Sequence, residues 1–146
     1  RTIDDQILSF FTFLLFSGVM INDSMAFIVG KLIKGPKILP NISPNKTISG
    51  FFGGLVGSII FFSYCNEYIL PIFTNYQISM VDKYVMIFIC NVVGFFGDSF
   101  ESYLKRKAKI KDSSNILMGH GGMFDRLDSL ILTTPVTLFY VYAYYL

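Results

Sequence analysis

The residues best equipped for chemistry lie between Asp98 and Asp128. A run Asp98-Ser-Phe-Glu101-Ser102-Tyr-Leu-Lys105-Arg106-Lys-Ala-Lys-Ile-Lys111-Asp112 is followed by Gly119-His120-Gly121-Gly122-Met-Phe-Asp125-Arg126-Leu-Asp128. Half of the chain's carboxylates, half of its cations and its single histidine fall in this stretch. Carboxylates give oxygen ligands to hard cations such as Mg²⁺, and Lys and Arg hold phosphate oxygens. A glycine-rich turn lets backbone N–H groups come close to a phosphate. At a membrane surface, those ingredients fit a metal-assisted site for a phosphorylated substrate.

The elements that must position these groups are apolar. Of 146 residues, 53% are hydrophobic, 17% aromatic and only 15% charged, and the mean hydropathy is +0.55. Such a composition excludes an ordinary soluble domain. The expected fold is all-α: one polytopic membrane helix bundle over residues 1–146, with about four transmembrane helices and two cytoplasmic polar loops. Cys65 and Cys90 make no metal-type pair and indicate no disulfide framework; each reads as a small apolar residue.

The first apolar segment, Ile7 to Ile21, is too short to span hydrocarbon unless it continues through Asn22 and Asp23 to about Val29. Two readings of Asp23 follow: a cap where the helix stops, or an ionisable residue facing a polar cavity in the membrane. A loop over Lys31 to Lys46 carries prolines at 36, 40 and 44, a density that prevents a continuous helix. The second span, about Thr47 to Tyr64, opens with the Gly-xxx-Gly pairs Gly50/Gly54 and Gly53/Gly57, which read as close helix packing in lipid. After a short, nearly uncharged loop from Asn66 to Asp82, a third segment runs from Tyr84 to Gly97, interrupted by Asn91, and continues helically into the polar stretch. Asp98, Glu101, Ser102 and Lys105 then share one helix face. The fourth segment, Leu130 to Leu146, carries Pro135 and a tyrosine-rich end that reads as an interfacial belt.

With a net charge of +2, the distribution of charge matters more than its sum. Four lysines lie between spans one and two and six Lys/Arg between spans three and four; only Arg1 and Lys83 lie on the other side. The positive-inside rule makes the side of both polar loops cytoplasmic. An integral membrane protein with its active site facing the cytoplasm is therefore expected.

The order Ser102-x-x-Lys105-Arg106, Lys111-Asp112, Gly119-His120-Gly121-Gly122-x-x-Asp125-Arg126-x-Asp128 resembles the signature of the phosphatidate cytidylyltransferase (CDP-diacylglycerol synthase) family. Two further segments resemble that family: Asp23-x-x-Ala26-Phe27, where the family has Asp-x-x-Ala-Tyr, and Ser43-Pro44-Asn45-Lys46-Thr47, which matches Ser-Pro-x-Lys-Thr. Two departures are visible. Met118 stands where the family usually has Pro, and Ser49 where it often has an acid. Because the family is longer, the chain reads as its C-terminal part, with the resemblance starting at about Asn22.

The resemblance implies that phosphatidate attacks the α-phosphorus of CTP, with Mg²⁺ as the required cofactor. Nucleotidyl transfer needs charge neutralisation and positioning more than covalent catalysis, which agrees. On this reading Asp98 and Asp125 are metal ligands, brought together across a helix pair, with Asp128 and Glu101 as supporting acids. Lys105, Arg106, Lys111 and Arg126 hold phosphates, and His120 holds the loop or contacts nucleotide. Ser43 and Lys46 add a second phosphate contact, and Ser102, Gly119, Gly121 and Gly122 line the substrate site. The expected partners are CTP, phosphatidate and membrane lipid, with no nucleic acid; a homodimer is left open. Rival readings are a CTP-dependent kinase of a polyprenol- or phytol-type alcohol, a cation transporter, and a non-catalytic remnant.

Overall fold

The computed structural model describes residues 3–69, 71, 79–109 and 124–145, with side chains for residues 7–69, 71, 79–109 and 128–145. The first helix, α1, spans Ile3–Ile33 and runs unbroken through Asn22 and Asp23. No proline interrupts it, and at 1.5 Å per residue its 31 residues reach about 46 Å, enough to cross a bilayer core. It ends where Lys34 adopts a left-handed φ of 51° ahead of Gly35 and Pro36. Asp23 is therefore an internal residue and not a cap.

The proline-bearing loop folds into a small antiparallel hairpin, β1 (Lys37–Leu39) and β2 (Ser43–Thr47), so the described residues are helical with one two-stranded addition. Hydrogen bonds seat this hairpin on the bundle: Ile48 N–H donates to Pro36 O at 2.9 Å. The Gly35 N–H donates to Ser49 Oγ at 3.2 Å, so Ser49 closes the hairpin base. Thr47 then caps α2 (Ile48–Tyr64), its Oγ1 accepting from Gly50 N–H at 3.1 Å.

Helix α2 packs on α1 through its glycine face, with Gly50, Gly53, Gly54 and Gly57 all buried. A Cβ on Gly54 would stand 2.6 Å from Asn22 Oδ1, and one on Gly50 would stand 2.7 Å from Ala26 O. Only hydrogen fits between these backbones, as Gly-xxx-Gly packing in lipid requires. Beyond α2 the chain continues as a π-helical turn, Cys65–Ile69.

Helix α3 (Met80–Phe88) begins with a capping box in which the Ser79 and Asp82 side chains each bond the other's backbone. A second π-helical turn, Ile89–Val93, joins it to α4 (Gly94–Lys107). Asn91, which interrupted the apolar run, sits in that π-turn. The last helix, α5 (Phe124–Tyr145), covers the fourth apolar segment and contains Pro135.

By length and composition, three stretches can cross a membrane: Ile7–Ile33, Ile48–Ile69 and Met80–Lys107. The fourth expected span is a helix, but among the described residues it does not join those three. Large apolar side chains such as Phe13, Phe52, Ile60, Phe88 and Phe139 point outward, as helices facing lipid would have them. The inward faces of α1, α2, α3 and α5 meet in a core of Phe11, Leu14, Phe62, Met86 and Val141, with Cys65 and Cys90 buried in it as free thiols.

The tyrosine-rich end divides in two. Tyr142 and Tyr144 are exposed, as a belt would be. Tyr140 and Tyr145 instead turn inward, each hydroxyl donating to the buried Asp82 carboxylate at 2.6 Å. The expected loop up to Asp82 therefore ends earlier, because Asp82 belongs to the first turn of α3.

Candidate active site

A cavity of about 390 Å³ opens where α1, β2, α2, α4 and α5 converge. Three separate sequence segments line it: Asp23, Ala26 and Phe27 from α1; Ser43, Asn45, Lys46 and Thr47 from β2; and Asp98 and Asp128 from α4 and α5. Asn22, Gly50, Phe51, Asn91, Gly94 and Phe95 complete the wall. The approach of α4 to α5 depends on Gly97, where a Cβ would lie 2.9 Å from Asp128 O.

Lys46 crosses from the hairpin to α4. Its ammonium lies 2.8 Å from Asp98 Oδ2 and donates to Ser99 Oγ at 2.8 Å and Phe95 O at 3.2 Å. It also sits 4.5 Å from the Phe95 ring centroid. An ammonium has three N–H donors, and all three directions are taken. As placed, Lys46 neutralises Asp98 and ties β2 to the bundle.

Asp98 and Asp128 form an acidic pair. Burial first, then the charge of Asp98 and a hydrogen bond with it, push the Asp128 carboxyl up to about 7. Ser129 opposes that shift, its N–H donating to Asp128 Oδ1 at 2.7 Å. Two carboxylates crowded in a half-buried cavity repel each other unless a proton or a cation lies between them, and Lys46 already neutralises one of the two. Among the described residues no three of His, Cys, Asp and Glu are grouped to hold a metal ion. A pair is still compatible with Mg²⁺, which keeps several waters and is often held by one or two carboxylates plus substrate phosphates.

The other expected residues fall into two groups. Those on α4 are present but turned to neighbours. Ser102 Oγ donates to Asp98 Oδ1 at 3.5 Å, Glu101 pairs with Lys105 at 3.5 Å one turn further along, and Arg106 Nε donates to Ile42 O at 3.3 Å. Ser102–Asp98 and Lys105–Glu101 are both i, i+4 pairs, so the shared helix face is real. The second group lies outside the described residues: Lys111, Gly119, His120, Gly121 and Gly122 entirely. Asp125 and Arg126 lie in the first turn of α5, but their side chains are outside the described set.

Sequence reasoning passed over Asn22, Asn91 and Ser129. Asn91 Nδ2 donates to Asn22 Oδ1 at 2.8 Å, and Ser129 Oγ donates to Asp23 Oδ2 at 3.1 Å. Polar amides in apolar runs were the available signal for the first two. Ser129 had none beyond following Asp128.

The family described as "Cytidylyltransferase family" matches residues 3–144. Similar proteins include the phosphatidate cytidylyltransferase of Staphylococcus saprophyticus, 39% identical over 118 residues that make up 81% of this chain and 44% of that protein. The phosphatidate cytidylyltransferase of Aquifex aeolicus is 33% identical over 131 residues, covering 90% of this chain and 47% of its own length. The one from Bacillus subtilis is 38% identical over 130 residues, 88% of this chain and 46% of that protein. The chain thus spans about half the length of the curated relatives it matches.

Proposed function

The chain belongs to the cytidylyltransferase family, and from that premise we propose that it carries the catalytic centre of an enzyme that moves the cytidylyl group of CTP onto phosphatidate. A phosphate oxygen of phosphatidate attacks the α-phosphorus of CTP, a new P–O bond forms, and the bond to the β-phosphate breaks. CDP-diacylglycerol and pyrophosphate result. The observation that carries this reading is the convergence of Asp23–Phe27, Ser43–Thr47 and the two acids Asp98 and Asp128, distant in sequence, on one cavity.

Asp98 and Asp128, with Asp125 on the same turn of α5, would hold Mg²⁺. When bound, that ion would neutralise charge on the transferring phosphate and orient it. The chain's own groups do the rest. Lys46 and Ser43 face the cavity from the hairpin and offer a cation and a hydroxyl to phosphate oxygens. Arg106, at the rim beside the hairpin turn, adds a second cation where the long α4 helix leaves the membrane. Phe27, Phe51 and Phe95 keep part of the wall apolar, which excludes water from the reacting phosphates. The hairpin and the end of α4 share one side, and their lysines and arginines support a cytoplasmic placement of that side, where CTP is found. With α5 as a fourth span, acyl chains reach the cavity from the bilayer between helices.

The test uses the chain in lipid nanodiscs with phosphatidate, CTP labelled at the α-phosphorus, and Mg²⁺. Label should move into chloroform-extractable lipid, and Asp98→Asn should lower that transfer about 100-fold or more. Label that stays in water-soluble CDP while lipid phosphate accumulates would assign a kinase instead and overturn the proposal.

A further inference from the structure

Among the polar side chains buried in the bundle, three cluster behind the charged groups of the cavity: Asn22 at 6% exposure, Asn91 at 2% and Ser58 at 0%. Polar groups inside a membrane bundle are costly, and their presence calls for a partner or a task. Asn91 is carried by the π-helical turn Ile89–Val93. Such turns are rare and tend to mark functional positions, because they rotate one side chain out of the regular helical register.

The orientation of the Asn91 amide is set by its neighbours. Asn22 Oδ1 at 2.8 Å and Phe51 O at 3.4 Å are both acceptors, so Nδ2 must face them. Asn22 Oδ1 also accepts from Ser58 Oγ at 3.3 Å. With its oxygen held twice, Asn22 turns its own Nδ2 to Asp23 Oδ1 at 3.4 Å. The second oxygen of Asp23 accepts from Ser129 Oγ at 3.1 Å, and Ser129 Oγ lies 3.3 Å from Asp128 Oδ1. Gly54 makes room for the arrangement, since any Cβ there would collide with Asn22 Oδ1.

A polar cluster serving only the fold would close on itself. This one runs from the π-turn across α1 and ends on a carboxylate in the cavity. We propose that Asn91 is a positioning residue for the metal-holding acids, acting through Asn22 and Asp23 on Ser129 and Asp128. This rests on the reading of Asp98 and Asp128 as cation ligands and deepens it: Asp23 becomes the strut that fixes Asp128, held in turn from inside the membrane. Groups that orient metal ligands from behind typically change metal affinity by about 10- to 100-fold when removed.

Mn²⁺ is the probe, titrated by electron paramagnetic resonance against the chain in nanodiscs, with the thermal unfolding midpoint read in parallel. Asn91→Leu keeps the volume and removes the donor. It should weaken Mn²⁺ binding about 10-fold or more with little change in midpoint. Asn22→Leu breaks the next link and should do the same. Wild-type affinity in Asn91→Leu overturns the inference. So does a loss of affinity that appears in both variants only together with a collapsed midpoint, which would assign the network to folding alone. Wild-type protein that fails to bind Mn²⁺, or whose binding survives Asp98→Asn, overturns the ion site itself and is thereby distinguished from failure of the relay.

Discussion

Lys46 is the residue whose role changes most between its type and its setting. As a lysine in a Ser-Pro-x-Lys-Thr segment it reads as a phosphate ligand, yet all its N–H groups are engaged by Asp98, Ser99 and the Phe95 carbonyl. A phosphate reaching Lys46 must therefore displace one of these acceptors. The slot suits a compact ammonium more than a planar guanidinium. Lys46→Met should lower kcat/KM for CTP about 100-fold, in the range seen when one preorganised donor is removed. Lys46→Arg should recover only part of that loss, and steady-state kinetics with varied CTP would measure both. Asp23 shows what residue type alone leaves open. Cap and cavity acid are equally good uses of an aspartate at the end of an apolar run; only the continuation of α1 to Ile33 decides between them.

At the level of elements, the helices were legible because apolar runs of this length have few alternatives in water or lipid. Gly50, Gly53, Gly54 and Gly57 announced a close helix contact without naming its partner, and the structure puts all four against α1 side chains or backbone. Gly54→Ala should therefore destabilise the helix pair by about 1–3 kcal/mol through overpacking against Asn22. Val56→Ala, on the outward face of the same helix, should cost far less, since lipid replaces what the side chain touched. Unfolding in detergent compares the two directly. The hairpin was not legible: prolines at 36, 40 and 44 say where a helix stops, but not that Lys37 will pair with Thr47. The π-turn was hidden for a related reason. Its extra residue is selected by the partners Asn91 finds on α1 and α2, which no local pattern records.

Across the whole molecule, the bundle has two unlike ends. One end gathers Lys46, Asp98, Asp128 and the hairpin around the cavity. The other is closed by Asp82, which accepts from Tyr140, Tyr145 and Ser79 and so joins α3 to α5. Sequence alone separated these ends by charge, through the count of lysines and arginines, but it assigned Tyr140 and Tyr145 to the membrane surface. Their inward turn depends on a buried carboxylate that is distant in sequence. With α5 as a fourth span, the two ends would face opposite sides of the bilayer. A cysteine placed at Lys37 should react with a membrane-impermeant maleimide from the cytoplasmic side only, and one at Tyr142 from the other side only. Reaction of both from the same side would refute the four-span arrangement.

That measurement is simplified by Cys65 and Cys90, each with no exposed surface. Packed among Phe62, Met86 and their neighbours, the native thiols are shielded from aqueous reagents. The natural chain thus serves as its own blank. Fluorophores, spin labels or cross-linkers can be installed one position at a time without first stripping it of cysteine, so its motions during turnover can be followed in an otherwise unaltered protein.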